Sequence, residues 1–305
     1  MSRILVIRLS ALGDFFLSFG PFAAIRARHP NDSVTLLTTA PFVSLARAAP
    51  WFDEVLVDAR PAWFDVLGLV RLRRALRGFD FVYDLQTSGR SSRYFRLAGK
   101  PAWSGIAPGC SHPHASPGRD AMHTLERQRE QLHTAGVDAF PEPDLSWLLR
   151  GDAPAPPRPY ALLMPGASPG REEKCWPAAG YGAVAAALEA RGLAVAVVGG
   201  ATEANLAATI RAACPEAIDL TGRTSVAQVA RLAAGAACAI GNDTGPMHVA
   251  ATVGCRVLVL FSSLSDPALT APRGPRGEWP TILRRADLAD LPAADVIAAL
   301  PTLIG

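Results

Sequence analysis

The 305-residue sequence is poor in cysteine, in lysine and in long apolar runs, and each shortage excludes a class of protein. Its five cysteines are odd in number and scattered, without a CxxC pair, so neither a disulfide framework nor a structural zinc site is predicted. No apolar stretch approaches the ~18 residues that cross a bilayer. The start, MSRILVIRLS, lacks the pattern of a signal peptide. We therefore expect a cytoplasmic protein.

Charge is sparse and nearly balanced, with 30 basic and 27 acidic residues and a net charge of +3, so nucleic acid is not an expected partner. Residues 1–150 carry the slight excess of basic side chains. Half of the residues are apolar, which is enough for a full core and excludes general disorder. Only Lys100 and Lys174 are lysines, against 28 arginines, so Lys174 is either a solvated loop residue or a position that requires a compact ammonium group.

Short β-branched runs alternate with helical patterns along the whole chain, which predicts parallel sheets with helices on both faces. The first helix is predicted to be unbroken over Phe15–Ala27. Residues 151–159 contain four prolines and no apolar period, and the pattern restarts after them. We predict an α/β protein with two doubly wound domains, 1–150 and 160–305, joined by a linker over 151–159. The last helix is a candidate to pack back on the first domain.

Ligands of such sheets bind beyond the carboxyl ends of the strands, so the loops that follow strands are the places to seek chemistry. Asp14 begins the first helix, either as an N-terminal cap or as a general base. Lys174 lies in the Gly-rich loop that opens the second half, before a helix start that suits phosphate. Glu203 follows a glycine pair after a strand, where an acid either starts a helix or accepts two hydrogen bonds from a ribose.

The stretch GNDTGPMH (241–248) collects an acid, an amide, a hydroxyl, two glycines and an imidazole around one strand-to-helix turn. A structural turn rarely needs so many polar groups, so this turn is the strongest candidate for ligand binding. Two structural alternatives remain: Asp243 as a helix cap and His248 as a buried, hydrogen-bonded histidine.

Several segments resemble, in the same order along the chain, those of glycosyltransferase family 9, whose best-known members are bacterial ADP-heptose:lipopolysaccharide heptosyltransferases. The segments are ILVIRLSALGD, FDFVYDLQ, GASPGREEKCWP, DLTGRTSV, GNDTGPMHVAA and VLVLFSSLSDP. The resemblance implies the GT-B fold, in which two Rossmann-like domains face a cleft, the first binding the acceptor and the second the nucleotide sugar. It implies inverting, metal-independent transfer of a sugar, expected to be heptose, from an ADP-sugar to a lipopolysaccharide-core or related saccharide, with no cofactor.

The resemblance also implies roles for individual residues. Asp14 takes the position of the general base and Lys174 that of a catalytic ligand of the donor diphosphate. Glu203 matches the acid on the adenosine ribose, and Thr224 lies beside the adenine. The remaining donor-binding residues are Ser168, Asp243, Thr244, Gly245 and His248, and the acceptor-binding residues are Ser10, Arg60 and Arg90.

The first half departs from the family pattern in its bulky Phe15-Phe16 pair and in a loop over 105–122 that matches no acceptor-contacting pattern. The spacing of Cys110, His112, His114 and His123 fits no standard zinc site, so a loop without metal is expected there.

A group of basic and aromatic residues in this half has two interpretations. Its members are Arg60, Trp63, Phe64, Arg71, Arg73, Arg74 and Arg77. It forms either a solvated face or a contact with an anionic lipid-linked saccharide, or with the inner membrane that holds it. Two rival functions are also open for the whole chain: a nucleotide-sugar epimerase on the same fold, and a non-catalytic protein that binds nucleotide sugars.

Overall fold

The computed structural model describes residues 1–62, 64–167 and 170–304, and it divides into two compact units between Trp147 and Leu148. The proline-rich segment over 151–159 consequently belongs to the second unit. Each unit contains a six-stranded sheet in which all neighbouring strands run parallel. The predicted α/β architecture of two doubly wound sheets is confirmed.

The first unit is arranged around a short central strand, β1, whose residues after Arg3 are all buried. Its strands are β1 (Arg3–Ile7), β2 (Ser33–Thr38), β3 (Glu54–Val57), β4 (Phe81–Asp84), β5 (Ala102–Gly105) and β6 (His112–Pro113), in the sheet order β3-β2-β1-β4-β5-β6. Its helices are α1 (Leu12–Leu17), α2 (Phe19–Arg28), α3 (Val43–Ala48), α4 (Val66–Ala75), α5 (Gly89–Leu97) and α6 (Thr124–Thr134), and α7 (Ser146–Leu149) lies at the division.

The single helix predicted over Phe15–Ala27 is wrong, because the chain forms two helices that meet at Ser18. Pro21 has no N–H to donate to the carbonyl four residues earlier, and its ring would clash with that carbonyl. Pro21 is tolerated because it lies in the first turn of α2, where N–H groups have no helical partner. The hydroxyl of Ser18 donates to the carbonyl oxygen of Asp14 at 2.7 Å, which fixes the turn that contains Asp14.

The second unit repeats the arrangement. Its strands are β7 (Tyr160–Met164), β8 (Ala194–Val197), β9 (Ile218–Asp219), β10 (Cys238–Asn242), β11 (Val257–Phe261) and β12 (Thr281–Arg284), in the order β12-β11-β10-β7-β8-β9. Its helices are α8 (Ala178–Glu189), α9 (Ala204–Ala213), α10 (Val226–Gly235), α11 (Gly245–Thr252), α12 (Pro267–Thr270) and α13 (Ala293–Ile304). Helix α13, for which the sequence left a place on the first domain open, packs against α8 in the core of this unit.

The two sheets have the same connectivity when they are compared strand by strand. In each, the first strand lies between the second and the fourth, so β1 corresponds to β7 and β4 to β10. The second and third strands lie on one side of the first strand, and the fourth lies on its other side. Open α/β sheets bind ligands at this change of direction. Ligands are therefore expected at the loops after β1, β4, β7 and β10. Among the described residues, no helix combines the length and the apolar character needed to cross a bilayer.

Candidate active site

In the first unit, Asp14 lies in the first turn of α1, directly after β1, and its side chain is 39% exposed. Arg8 is buried beneath it, with Nη2 3.1 Å from Oδ2 of Asp14, and Nη1 donates to the carbonyl oxygen of Leu85 at 2.6 Å. The backbone N–H of Ala11 donates to the same Oδ2 at 3.3 Å, so the contact expected of a helix-start aspartate is also present. A carboxylate fixed on one side and open to solvent on the other can accept a proton from a ligand.

A second arginine, Arg127 of α6, is close enough to Asp14 for their charges to interact. Burial lowers the pKa of Arg127, and the negative charge of Asp14 opposes that change. Burial likewise lowers the pKa of Arg8, and Asp14 again opposes it. Sequence reasoning missed both arginines, although an arginine within the apolar run ILVIRLS was the signal that could have identified Arg8.

The end of β4 supplies a buried carboxyl group whose charge interacts with that of Arg8. Asp84 is fully buried and accepts a hydrogen bond from the N–H of Thr87 at 3.1 Å. Burial raises the pKa of Asp84 to about 7, against the opposing effects of hydrogen bonds from Ser91 and the backbone and of the charge on Arg8. The strand beside β1 therefore ends in a buried carboxyl group whose pKa is raised to about 7.

The structure brings the three predicted acceptor-binding residues into one hydrogen-bonded chain. Arg60 donates from Nη2 to the hydroxyl of Ser10 at 3.1 Å, and its backbone N–H donates to Asp58 at 2.8 Å. The buried carboxylate of Asp58 accepts the hydroxyl of Tyr94 at 2.6 Å, and Arg90 donates to that hydroxyl at 3.5 Å. Asp58 and Tyr94 were not predicted, and they connect the loop after β3 to helix α5, which follows β4.

The loop over 105–122 contains the short strand β6, and its candidate metal ligands have partners of their own. His114 contacts Glu130 at 3.3 Å, His123 contacts Glu126 at 3.0 Å, and the thiol of Cys110 lies 3.7 Å from the carbonyl oxygen of Gly105. Within the described ranges, no group of three or more histidine, cysteine, aspartate or glutamate side chains could hold a metal ion. Trp63 and Ser168, both among the predicted residues, lie outside the described residues.

In the second unit, Lys174 and Asp243 form an ion pair, with Nζ 2.9 Å from Oδ2. Their side chains are 15% and 10% exposed, and the hydroxyl of Ser265 donates to the same Oδ2 at 2.7 Å. Asp243 is not the helix cap that the alternative interpretation required, because Thr244 occupies the N-cap position of α11. Asp243 of the GNDTG turn instead pairs with the ammonium group of Lys174 in the Gly-rich loop.

Asn242, the last residue of β10, fixes the backbone on both sides of Lys174. Its fully buried amide oxygen accepts the backbone N–H of Trp176 at 3.0 Å and the hydroxyl of Tyr181 at 2.9 Å. Its amide nitrogen donates to the carbonyl oxygens of Pro165 at 2.6 Å and Gly166 at 3.3 Å. One neutral side chain thus fixes the start of the Gly-rich loop and the residues that follow Lys174.

Glu203 lies at the carboxyl ends of β7 and β8, packed against Gly166 and Gly199. A Cβ atom at either glycine would overlap its carboxylate, so only glycine allows the approach. The carboxylate accepts the N–H of Gly200 at 2.6 Å, which is the helix-start contact of the structural alternative. Burial raises the pKa of Glu203, and the bond from Gly200 opposes the rise.

The remaining predicted donor residues lie on the neighbouring loops and helix starts. Thr244 and Gly245 are half-buried at the first turn of α11, where backbone N–H groups lack helical acceptors and can meet an anion. His248 is buried one turn further along the same helix. Thr224 is half-buried immediately before Ser225, the N-cap residue of α10.

The profile of "Glycosyltransferase family 9 (heptosyltransferase)" matches residues 69–285 of this chain. The match covers well over half of the sequence, so the chain belongs to glycosyltransferase family 9, as the resemblance predicted. The GNDTG turn, the Gly-rich loop and Glu203 all lie within the matched range.

Relatives and solved structures agree with this assignment. Lipooligosaccharide heptosyltransferase 2 of Haemophilus influenzae is 33% identical over 38% of this chain, and the match spans about a third (34%) of that relative's length. Lipopolysaccharide heptosyltransferase 1 of Pseudomonas aeruginosa is 26% identical over 89% of this chain and 81% of its own. The Escherichia coli heptosyltransferase WaaC with ADP superposes with a TM-score of 0.79 at 21% identity, covering 98% of this chain and 99% of that one, which confirms the GT-B fold.

Proposed function

We propose that this chain is an inverting glycosyltransferase that transfers a sugar, expected to be heptose, from an ADP-sugar to an anionic, lipid-linked saccharide of the lipopolysaccharide core. Two relatives named as heptosyltransferases and a similar structure described with ADP support the donor. The observation that carries the proposal is the Lys174–Asp243 ion pair, held at 2.9 Å in the turn where the second sheet reverses.

The donor half of the reaction follows from this pair. Departure of the nucleotide places negative charge on the diphosphate, and Lys174 together with the first turn of α11 supplies positive charge that is already oriented. Asp243 keeps the ammonium group in place and can accept a hydrogen bond from a sugar hydroxyl. Glu203 is proposed to hold the ribose. Because Lys174 provides the charge, the proposal requires no metal ion.

The acceptor half uses Asp14. Its carboxylate removes the proton of an acceptor hydroxyl, the hydroxyl oxygen forms a bond to the anomeric carbon, and the bond from that carbon to the diphosphate oxygen breaks. The attack on the face opposite the leaving group inverts the configuration. Ser10, Arg60 and Arg90 are proposed to bind the acceptor, and the two arginines suit a phosphate or carboxylate on it. We propose that this acceptor is met at the cytoplasmic face of the inner membrane.

The first experiment is a thermal-shift screen of the whole chain against ADP-, UDP- and GDP-sugars, followed by turnover assays with and without a lipopolysaccharide-core acceptor. We expect stabilisation by the ADP-sugar and release of ADP that depends on the acceptor. Equilibration of the donor alone with its epimer would instead establish the epimerase alternative. Donor binding without any turnover would establish the non-catalytic one.

A further inference from the structure

Helix α4 presents apolar side chains on the surface, where a solvated helix carries polar ones. Val66, Leu67 and Val70 are 67%, 70% and 58% exposed, and Phe64, just before the helix, is 70% exposed. The opposite side of the helix packs normally, with Leu72 buried in the core of the first unit. Four of the nine large apolar side chains that are exposed among the described residues lie in this one short segment, and groups of exposed apolar side chains mark interaction surfaces.

Basic side chains continue the same surface toward the end of the helix. Arg71, Arg73 and Arg74 lie on α4, Arg77 follows it, and all four are exposed. The one acid of residues 64–77 is Asp65, and its carboxylate is occupied as the N-cap, accepting the N–H of Gly68 at 2.8 Å. The exposed side chains of the first half of the helix are thus apolar, and those of the second half are cationic.

We propose that this α4 surface, formed by Phe64, Val66, Leu67, Val70, Arg71, Arg73, Arg74 and Arg77, docks on an anionic phospholipid bilayer. A helix with apolar and arginine side chains on its exposed face lies in the plane of the interface, with its apolar groups among the acyl chains and its cations at the phosphates. The excess of arginine gives the complementary charge that selects a bilayer with anionic headgroups. A saccharide alone offers no apolar region to cover four such side chains.

The location of the α4 surface relates it to the acceptor half of the site. Arg60 lies four residues before Phe64, and its guanidinium group contacts Ser10 in the loop that leads to Asp14. A bilayer on this surface lies beside the loops proposed to bind a lipid-linked acceptor. This connection to the acceptor rests on the proposed function, whereas the docking of the surface on lipid does not.

The test is co-sedimentation of the full chain with vesicles of phosphatidylethanolamine and phosphatidylglycerol, and with vesicles of phosphatidylcholine alone, without donor or acceptor. We expect binding to the anionic vesicles that weakens as salt is raised and the charges are screened.

Arg73→Gln with Arg74→Gln should lower the partition coefficient roughly 30-fold, at about fivefold for each arginine. Leu67→Ser with Val70→Ser should lower it at least about tenfold. The matched controls, Arg191→Gln with Arg211→Gln and Leu149→Ser, change exposed residues elsewhere and should bind as the unmodified chain does.

Each other outcome overturns the proposal. Binding that is absent at low salt, or equal on both kinds of vesicle, contradicts an anionic bilayer as the partner. Equal losses in the control variants contradict the assignment to the α4 surface. If the α4 variants change the molecular mass in solution instead of vesicle binding, the surface is a protein interface. Thermal stabilisation by nucleotide sugar, measured on the same variants, separates this failure from a failure of the proposed function.

Discussion

Asp84 and Asn242 occupy the same place in the two sheets, each as the last residue of the fourth strand, and both are fully buried. Asn242 is neutral and uses both ends of its amide to hold the loop of Lys174. Asp84 is a carboxyl group whose pKa is raised to about 7 by burial, and Arg8 lies beside it. The two units thus support their loops with different chemistry at the same position.

The difference extends to the side chain that each loop presents. In the first unit, an acid, Asp14, is flanked by the cations Arg8 and Arg127. In the second, a cation, Lys174, is held by an acid, Asp243. This reversal suits a division of labour in which one unit accepts a proton and the other neutralises a departing diphosphate. It also predicts that the first unit is the more sensitive to pH.

The largest effect is expected from Asp14→Asn, which keeps the shape of the side chain and removes the base. Turnover with the true acceptor should fall ~10²–10⁴-fold, the usual contribution of a positioned base. Steady-state kinetics at saturating donor measures it. Near-normal turnover of the variant would show that another group removes the proton.

Lys174→Ala should lower kcat/KM ~10²–10³-fold, because it removes one oriented charge from the leaving group. The remaining lysine provides a matched control, since Lys100 is exposed and lies in the first unit just before β5, at the amino ends of the strands and so at the opposite edge of the sheet from the loop of Asp14. Lys100→Ala should retain the activity of the unmodified chain. A similar loss in both variants would attribute the effect to net charge rather than to the ion pair with Asp243.

Arg8→Met should lower kcat about 10–100-fold, because Asp14 loses the side chain that orients it and misplacement of a reacting group costs rates of this size. Affinity for the nucleotide should stay unchanged, because the second unit is untouched. Arg8→Lys retains the charge but has no fork to reach both Asp14 and Leu85, so it should recover only part of kcat. A parallel drop in nucleotide affinity would indicate general unfolding instead of a positioning role.

The last effect concerns stability rather than rate, and it is a pH dependence that arises from Asp84. Its folded pKa of about 7 exceeds the ordinary value of 3.8, so between these values the folded state binds the proton more tightly. Stability should therefore fall as pH rises through this window, by at most about 1.4 kcal/mol per pH unit. Asp84→Asn should remove the decline and stabilise the chain at pH 8 but not at pH 4, as read from thermal unfolding midpoints.

The converse substitution in the second unit tests the same comparison between Asp84 and Asn242. Asn242→Asp places a buried carboxyl group in the second unit and removes the hydrogen bonds donated to Pro165 and Gly166. It should lower stability and add a decline with rising pH beyond the one that Glu203, whose pKa is also raised by burial, already gives the second unit. Unchanged pH dependence in both variants would mean that these two positions do not distinguish the units.

The second unit was the easier to predict from sequence, because its chemistry is concentrated in short local motifs. Asp243, Thr244 and Gly245 share one turn, and the structure brings Lys174 to that turn from a loop that the glycines had already marked. The alternation of strands and helices likewise predicted both sheets. What remained hidden was the partner Ser265, since 22 residues separate it from Asp243 and no pattern connects them.

The first unit was harder, because its site depends on contacts between distant segments. Arginine normally lies at the surface, so the burial of Arg8 beneath Asp14 was missed although the residue stands within an apolar run. The series of hydrogen bonds from Ser10 through Asp58 and Tyr94 to Arg90 joins two loops and helix α5, which only the sheet order brings together. The break at Ser18 was different: Pro21 was visible, and a continuous helix should not have been drawn through it.

The central claim is that Lys174 serves the donor and Asp14 does not, and calorimetric titration with ADP tests it most directly. Titrating the unmodified chain, Asp14→Asn and Lys174→Ala side by side compares the two residues without any acceptor. We predict that Lys174→Ala binds ADP at least about tenfold more weakly, the loss of one charge-assisted contact, and that Asp14→Asn binds as the unmodified chain does. Weakening of equal size in both variants, or in Asp14→Asn alone, would contradict the account.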